Sequence, residues 1–302
     1  MANITTTEGA GFIPEIWAAV ALGALKANTV MLPLVNHNFE NEFHQIGDIL
    51  NVPRRGTLSV NDKSANTDIT LQTPTADTIA LTLNKHKDVS FAVEDIAQAQ
   101  ANQDIIAGYV TDAMIVLAHQ IDDDILALYS GFSATPLDAR TGSGGVTVNT
   151  IIEAQRLFNK ALVPQEQRYI VWGEDAAAEL LKLSQFTNAQ YDPMNATALA
   201  NASLGRKYGF DHYMDQRVVQ TGGEVKNLAF HKNAIMFATR PLAIPPDGHG
   251  VVGTTMNEDG IGIRVMYGYS ILKKAMIVSL DVLYGVAEER DNHGLVIRST
   301  DI

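Results

Sequence analysis

Cysteine is absent from the 302 residues. That excludes disulfides, thiolate nucleophiles and cysteine-held metals, and it suits a reducing compartment. Basic residues are scarce: Lys plus Arg number 22 against 34 Asp plus Glu, a formal net charge of −12. Nucleic acid and anionic membrane surfaces are therefore disfavoured as general partners. Long apolar runs are missing too. The longest near the start, Ile16 to Leu25, lies between Glu15 and Lys26 and is shorter than the roughly 20 residues of a membrane helix. No basic residue precedes it and no clean small-residue cleavage site follows, so the expectation is no secretory signal, no membrane and a cytosolic location. No period of 20 to 50 residues recurs, which leaves solenoids and propellers unsupported. GxSxG, HExxH and GxxxxGK[ST] are all absent, which lowers the expectation of an enzyme.

What is present is a chain of ordinary globular balance, 46% hydrophobic and 19% charged, long enough to bury a sizeable core. Its layout is uneven. Residues 1–45 open with Thr5, Thr6, Thr7, Gly9 and Gly11, pass through an Ala-rich helical stretch after Pro14, and turn polar and aromatic; they read as an arm outside the core. From Ile46 to Phe91, short alternating runs (Ile49, Val52; Ile69, Leu71; Ile79, Leu81, Leu83; Val89, Phe91) flank the turn cluster Asn61 to Asn66 and predict a long two-stranded β excursion. Such a ribbon is marginal alone in water and implies packing on another chain. Val93 to Tyr129 then carries apolar residues at steps of three and four, predicting one helix about 37 residues and 55 Å long, with Gly131 at its end and Gly108 as a bend.

After a Gly-rich stretch at 132–148, an α/β pattern is expected: helices over 151–162 and 174–183, and strands over 169–172, 211–219 and 228–239. Pro245-Pro246-Asp247-Gly248 closes this unit, and strands over 262–269 and 275–286 rejoin the long helix. Residues 149–250 are thus an insertion in a discontinuous domain.

Candidate sites are few. His37, Glu40 and His44 would share one face of a helix as a metal set, but Asn36, Asn38 and Asn41 interrupt a helix there, and the residues read better as solvated. Gly248-His249-Gly250-Val251-Val252-Gly253 has the letters of GxGxxG, whose glycines admit a pyrophosphate at a helix N-terminus. Here two prolines stand where the strand should run and no good helix follows, so a loop is expected. His119 with Asp122, Asp123 and Asp124 could be a base or cation site; spacing favours an ordinary intrahelical pair of His119 with Asp122 or Asp123.

The order of parts, with Ile46-Gly-Asp-Ile-Leu-Asn-Val-Pro53, Phe91-Ala-Val-Glu-Asp95 and Ala118-His-Gln-Ile-Asp-Asp-Asp-Ile-Leu126 in sequence, resembles the major capsid proteins of tailed bacteriophages, the Hong Kong 97-like fold. The resemblance covers essentially the whole chain. It implies an α+β fold: N-terminal arm (1–45), extended β-hairpin loop (46–92), peripheral domain with a long spine helix (93–148), inserted α/β axial domain (149–250), and closing peripheral strands with the C-terminus (251–302). It further implies a structural, non-enzymatic subunit without cofactor or metal. The subunit would assemble with itself as hexamers and pentamers in an icosahedral virion shell, built in the host bacterial cytoplasm around double-stranded DNA that it does not read. Because the arm follows Met1 almost at once, the expected scaffolding protein is a separate one, alongside a portal. An isopeptide link of Lys63 to Asn292, as in the founding relative, is not expected. The inter-subunit contacts expected are electrostatic, from Arg54, Arg55, Lys63, Lys85 and Lys87 to the acids Glu94, Asp95, Asp122 to Asp124, Glu288 and Glu289. The competing readings are an encapsulin-like compartment, a metal- or nucleotide-dependent enzyme using His37 or the Gly248 loop, and a tail or tube protein.

Overall fold

The computed structural model describes residues 13–38, 49–55, 58–73, 76–94, 104–140, 145–187, 204–246, 250–258 and 261–300. In chain order these form α1 (Ile13–Asn28), β1 (Ile49–Arg55), β2 (Ala76–Thr82), β3 (Lys85–Glu94) and α2 (Asp104–Leu126). Then come β4 (Leu137–Asp138), α3 (Val148–Lys160), β5 (Arg168–Trp172), α4 (Glu174–Leu181), α5 (Ser184–Thr187), β6 (Arg206–Lys207), β7 (Phe210–Met214), β8 (Glu224–His231) and β9 (Ile235–Thr239). The last strands are β10 (Val251–Glu258), β11 (Ile261–Ser270), β12 (Ala275–Glu288) and β13 (Gly294–Thr300). No described helix is long and apolar enough to cross a membrane.

Two sheets share one core. The first runs β10-β11-β12-β3, with β9 also on β12, and every pairing in it is antiparallel. One of its faces is apolar, with Ile263, Val265, Val278, Leu280 and Val282 buried, and α1 and α2 cover that face. α2 forms because Val110, Ala113, Met114, Leu117, Ala118, Ile121 and Ile125 recur on one stripe, all buried. Ala18, Ala21, Leu22 and Leu25 do the same for α1 with small side chains. α1 stops at Asn28 and Thr29, whose side chains donate to the Ala24 and Leu25 carbonyls at 2.7 and 3.2 Å and so compete with further helix.

The second sheet is β4-β13-β8-β5-β7-β6. α3 and α4 cover one side through Ile151, Phe158, Ala176 and Leu180 against Ile170, Trp172 and Ile297. The other side, with Val171, Leu228 and Phe230, joins the core of the first sheet. Several of its buried polar groups are paired. The Asn227 carboxamide accepts from Gly173 N at 2.8 Å and donates to Ile297 O and Ser299 Oγ at 3.1 and 2.8 Å. Trp172 Nε1 donates to His212 Nδ1 at 2.9 Å, so the His212 proton sits on Nε2, facing the Lys207 carbonyl at 3.2 Å. Burial holds this imidazole neutral, with its pKa lowered to about 4.

Several expectations need correction. Residues 18–35 are core, not an arm outside it: Met31, Leu32, Leu34 and Val35 are buried along with α1. The long helix starts later, because Val93 and Glu94 continue the β3 ladder opposite Met276 and Ala275; a short apolar run fits either period, and tertiary pairing decides. The excursion is two-stranded only at its base, where β1 pairs with β2, while Val89 and Phe91 belong to the first sheet. Residues 251–258, read as loop and poor helix, are a strand on β11. Residues 294–300 are a strand that returns to β8 in the second sheet.

At the excursion's base, Val52, Leu81 and Leu83 pack on Met236, Ala238 and Leu283. This needs close approach: a Cβ on Gly285 would overlap the Thr82 carbonyl oxygen. Gly285→Ala is therefore expected to destabilise the chain by about 1–3 kcal/mol through overpacking, read as a lower urea midpoint; an unchanged midpoint would show that the base does not depend on this approach.

Candidate functional site: an exposed loop on a charged anchor

Beyond the β1–β2 ladder, residues 58–73 have no strand partner and are exposed throughout. Four apolar side chains stand in solvent there: Leu58 at 68% exposure, Val60 at 96%, Ile69 at 66% and Leu71 at 84%. The tip is nonetheless shaped. The Gln72 carboxamide accepts from Ser59 N at 2.9 Å and donates to Ser59 O at 2.5 Å, standing in for one rung of a ladder. Asn66 turns the chain with φ 61°, a conformation Asn tolerates, and Thr67 Oγ1 donates to Ser64 O at 2.9 Å.

The loop's return limb is pinned on both faces of β3, where alternate residues point opposite ways. On the core side Lys85 Nζ meets Asp124 Oδ1 at 3.0 Å, and Lys87 approaches Oδ2 at 3.9 Å. The buried Tyr284 donates to Asp124 Oδ2 at 2.5 Å, and burial, then the Asp124 charge, holds that phenol protonated well above its usual range. On the outer side His86 Nε2 lies 2.9 Å from Asp281 Oδ2, and Arg264 grips the same carboxylate with two donors. Arg264 also donates to Ala243 O at 2.7 Å. Asp281 is 4% exposed, so this is a desolvated ion pair on the sheet's outer surface.

The three adjacent aspartates of α2 point three ways, as a 3.6-residue turn requires. Asp122 accepts from Val30 N and Met31 N at 2.8 and 3.1 Å, Asp123 is gripped by Arg217, and Asp124 holds Lys85 and Tyr284. These contacts replace the pairing expected with His119. Among the described residues no group of three or more His, Asp and Glu could hold a metal. His37 sets Nε2 2.6 Å from Leu32 O and its ring against Phe237; Glu40 and His44 lie outside the described residues. Of the Gly248 motif, residues 248 and 249 also lie outside them, and Gly253 sits in β10 opposite Met266, with a strand and no helix there.

The charged residues singled out from sequence divide. Lys85 and Lys87 bind Asp124 of their own chain, and Glu289 accepts from Asn36 Nδ2 at 2.9 Å. Glu288 lies over Gly131, where partial burial, then Asp291, raises its pKa. Lys63 is exposed at the tip, with Nζ 3.3 Å from Ser64 O, and Glu94 is exposed at the end of β3. Arg54 and Arg55 stand on β1 opposite Asp77 and Ala76, but their side chains, like all of Asp95, lie outside the described residues. Sequence reasoning missed the Asp281–Arg264–His86 cluster, whose members are up to 195 positions apart; the one signal was the run Lys85-His86-Lys87-Asp88, polar on both faces of a strand.

The outer face of the first sheet is covered by the β1–β2 base near Leu283, and among the described residues it lies open beside β10 and β11. A shallow groove of about 260 Å³ crosses it, lined by Gly250, Val251, Met266, Gly268, Ile277 and Ser279. An anchored loop with an apolar tip and an open stretch of sheet describe a building block. A family model described as phage capsid protein matches residues 44–241, more than half of the chain.

The chain belongs to the phage capsid protein family.

Solved structures agree at the level of fold. The chain is similar to that of Mycobacterium phage Che8, at 18% identity over 89% of this chain and 90% of the other, with TM-score 0.64. It is also similar to the capsid of Cyanophage P-SCSP1u, at 14% identity over 83% of each chain and TM-score 0.60. The capsid of Ralstonia phage GP4 matches at 12% identity over 85% of each chain, with TM-score 0.58. The fold is Hong Kong 97-like, and the chain is a structural capsid subunit, not an enzyme. A comparison with curated proteins finds no match.

Within this capsid subunit, Asp281→Ala leaves the nearly buried Arg264 without its counter-charge and is expected to cost about 3–5 kcal/mol in urea unfolding. His86→Ala, removing a half-exposed partner, costs about 1 kcal/mol or less. Equal effects would show that His86, not Arg264, carries the anchor.

Proposed function

We propose that the subunit builds an icosahedral shell by laying its 58–73 tip on the open stretch of sheet of a neighbouring copy. The observation that carries this reading is the tip itself: four apolar side chains between 66% and 96% exposed, on a loop whose base is held by apolar packing and two carboxylates. A lone chain leaves that surface in water, at a cost of about 25 cal/mol per Å². The acceptor is a different patch of the same molecule, the groove beside Met266 and Ile277. A contact between unlike patches is head-to-tail, and where its rotation closes it gives rings, in this reading pentamers and hexamers. Exchanged loops also bury more than a standard interface of about 1,600 Å².

In this reading the peripheral domain comprises α1, α2 and the first sheet, and the axial domain α3, α4 and the second sheet. Arg54, Arg55 and Lys63 on the loop set register and encounter rate against acids such as Glu94 on a neighbour, more than they set strength. The shell encloses the double-stranded DNA of a tailed phage, assembles in the host cytoplasm, and uses a separate scaffolding protein and a portal. The net charge of −12 suits a wall that does not hold DNA tightly.

Electron microscopy with light scattering tests this directly. The wild-type chain is expected to give closed particles, alone or with its scaffolding partner. The combination Leu58→Asp, Val60→Asp, Ile69→Asp and Leu71→Asp is expected to abolish them while leaving far-UV circular dichroism unchanged; wild-type particles from this variant would refute the loop's role. Arg54→Glu with Arg55→Glu is expected to slow assembly several-fold, measured by time-resolved scattering, again without loss of fold.

A further inference from the structure

The turn between β11 and β12 runs against ordinary turn chemistry. Ile271, Leu272, Lys273 and Lys274 join the two strands, with none of the Gly, Pro, Asn or Asp that such turns favour. Lys274 closes the turn at φ 49°, a left-handed conformation more usual for glycine or asparagine. Leu272 is 98% exposed and Ile271 72%, next to a half-exposed Tyr269. The fold of the free chain gains nothing from two large aliphatic side chains held in water.

Charge marks the same turn. Lys273 and Lys274 are exposed, and among the described residues neither ammonium has an ion-pair partner. The groove on the first sheet runs up to them. Tyr269 and Ser270 line its end, and Ser270 Oγ accepts from Lys273 N at 3.3 Å, which folds the turn back toward the groove.

The 58–73 tip carries the complement. Asp62 and Asp68 flank its turn, both exposed and both without an ion-pair partner among the described residues. Lys63, between them, sets Nζ 3.3 Å from Ser64 O. Aliphatic side chains with two carboxylates stand on one element, and aliphatic side chains with two ammonium groups on the other. A polyanion such as nucleic acid would also meet the lysines, but it would leave Ile271 and Leu272 in water.

We propose that the 271–274 turn is the specificity-determining end of the acceptor surface, receiving the 58–73 tip of a second copy with Lys273 and Lys274 facing Asp62 and Asp68, and Ile271 and Leu272 covering the tip's apolar side chains. This rests on the reading of the tip as the part laid on a neighbouring copy, and names the residues that fix where it lands. Exposed ion pairs add little strength each. Their effect is on encounter and register: a slipped tip would bring Lys63 against the two lysines, a like-charge contact that disfavours the wrong alignment.

Charge exchange in the full chain tests the pairing, with assembly rate read by time-resolved light scattering at low and high salt. Lys273→Asp with Lys274→Asp, and separately Asp62→Lys with Asp68→Lys, are each expected to slow assembly about tenfold at low salt and less than about threefold at high salt, where charges are screened. All four substitutions together are expected to restore the rate to within about twofold of wild type, with far-UV circular dichroism unchanged throughout. Halves that assemble like the wild type, or a combination that stays as slow as its halves, would overturn the pairing. The Leu58→Asp, Val60→Asp, Ile69→Asp and Leu71→Asp combination reports separately on the loop: if it abolishes particles while charge exchange gives no rescue, the tip docks elsewhere, and if it assembles, the loop's role falls with the pairing. Because the chain has no cysteine, Asp68→Cys with Lys274→Cys is a second route if an exchange variant does not fold. A short bismaleimide is expected to link its copies into a ladder on a denaturing gel, well above that of Asp68→Cys with Lys160→Cys, which lies exposed at the end of α3. Equal ladders, or none, would equally overturn the turn as acceptor.

Discussion

A strand offers hydrogen bonds along two edges, and β12 is paired along its whole length, with three different strands in turn. Over residues 275–281 it lies between β3 and β11, and from Tyr284 onward β9 takes over an edge as the β3 ladder ends. The loop's return limb, the closing hairpin and the strand leading out of the inserted unit are thus all registered against one fourteen-residue segment. A slip of one residue would turn Val278, Leu280 and Val282 outward and bring Ile277, Ser279 and Asp281 into the core. The loop projects where it does because this register is set by burial.

The charged groups follow from that frame. β3 carries Lys85 and Lys87 toward α2 and His86 toward the outer face, so the limb is gripped by Asp124 on one side and Asp281 on the other. Polar groups buried in this way are worth little as net stabilisation but costly to leave unpaired, and they specify one position for the base of the loop. The tip shows the opposite economy. Its backbone is braced by Gln72 and its apolar side chains are left in water. Rigidity at the base and incompleteness at the tip are what a shell subunit needs.

Part of this was legible in the residues. The stripe through Ala113, Leu117, Ile121 and Ile125 predicted α2, alternation predicted the β1–β2 ribbon, β-rich runs predicted strands at 169–172, 262–269 and 275–286, and thin apolar content in the loop pointed to a partner. The errors have physical causes. Val93 fits a helical stripe as well as a strand until Met276 stands opposite it. Ala18 and Ala21 look too small for a core, yet small residues let α1 lie close against α2. The strand at 251–258, broken by Gly253, and the strand at 294–300, short and following a polar turn, lack a periodic signal and form because a partner edge is available.

Composition and periodicity alone determined that this chain would be a globular protein of helices and strands without disulfides, with a long apolar-striped helix and a ribbon too poor in apolar residues to stand alone, because those properties depend on residues near one another in sequence. Tertiary structure decided which aspartate serves which partner, which charges stay within the chain and which stretch of sheet stays open. Pairs such as His86 with Asp281, or Asp122 with Val30, are set by strand register and helix rotation across more than ninety residues, and no local pattern encodes that distance.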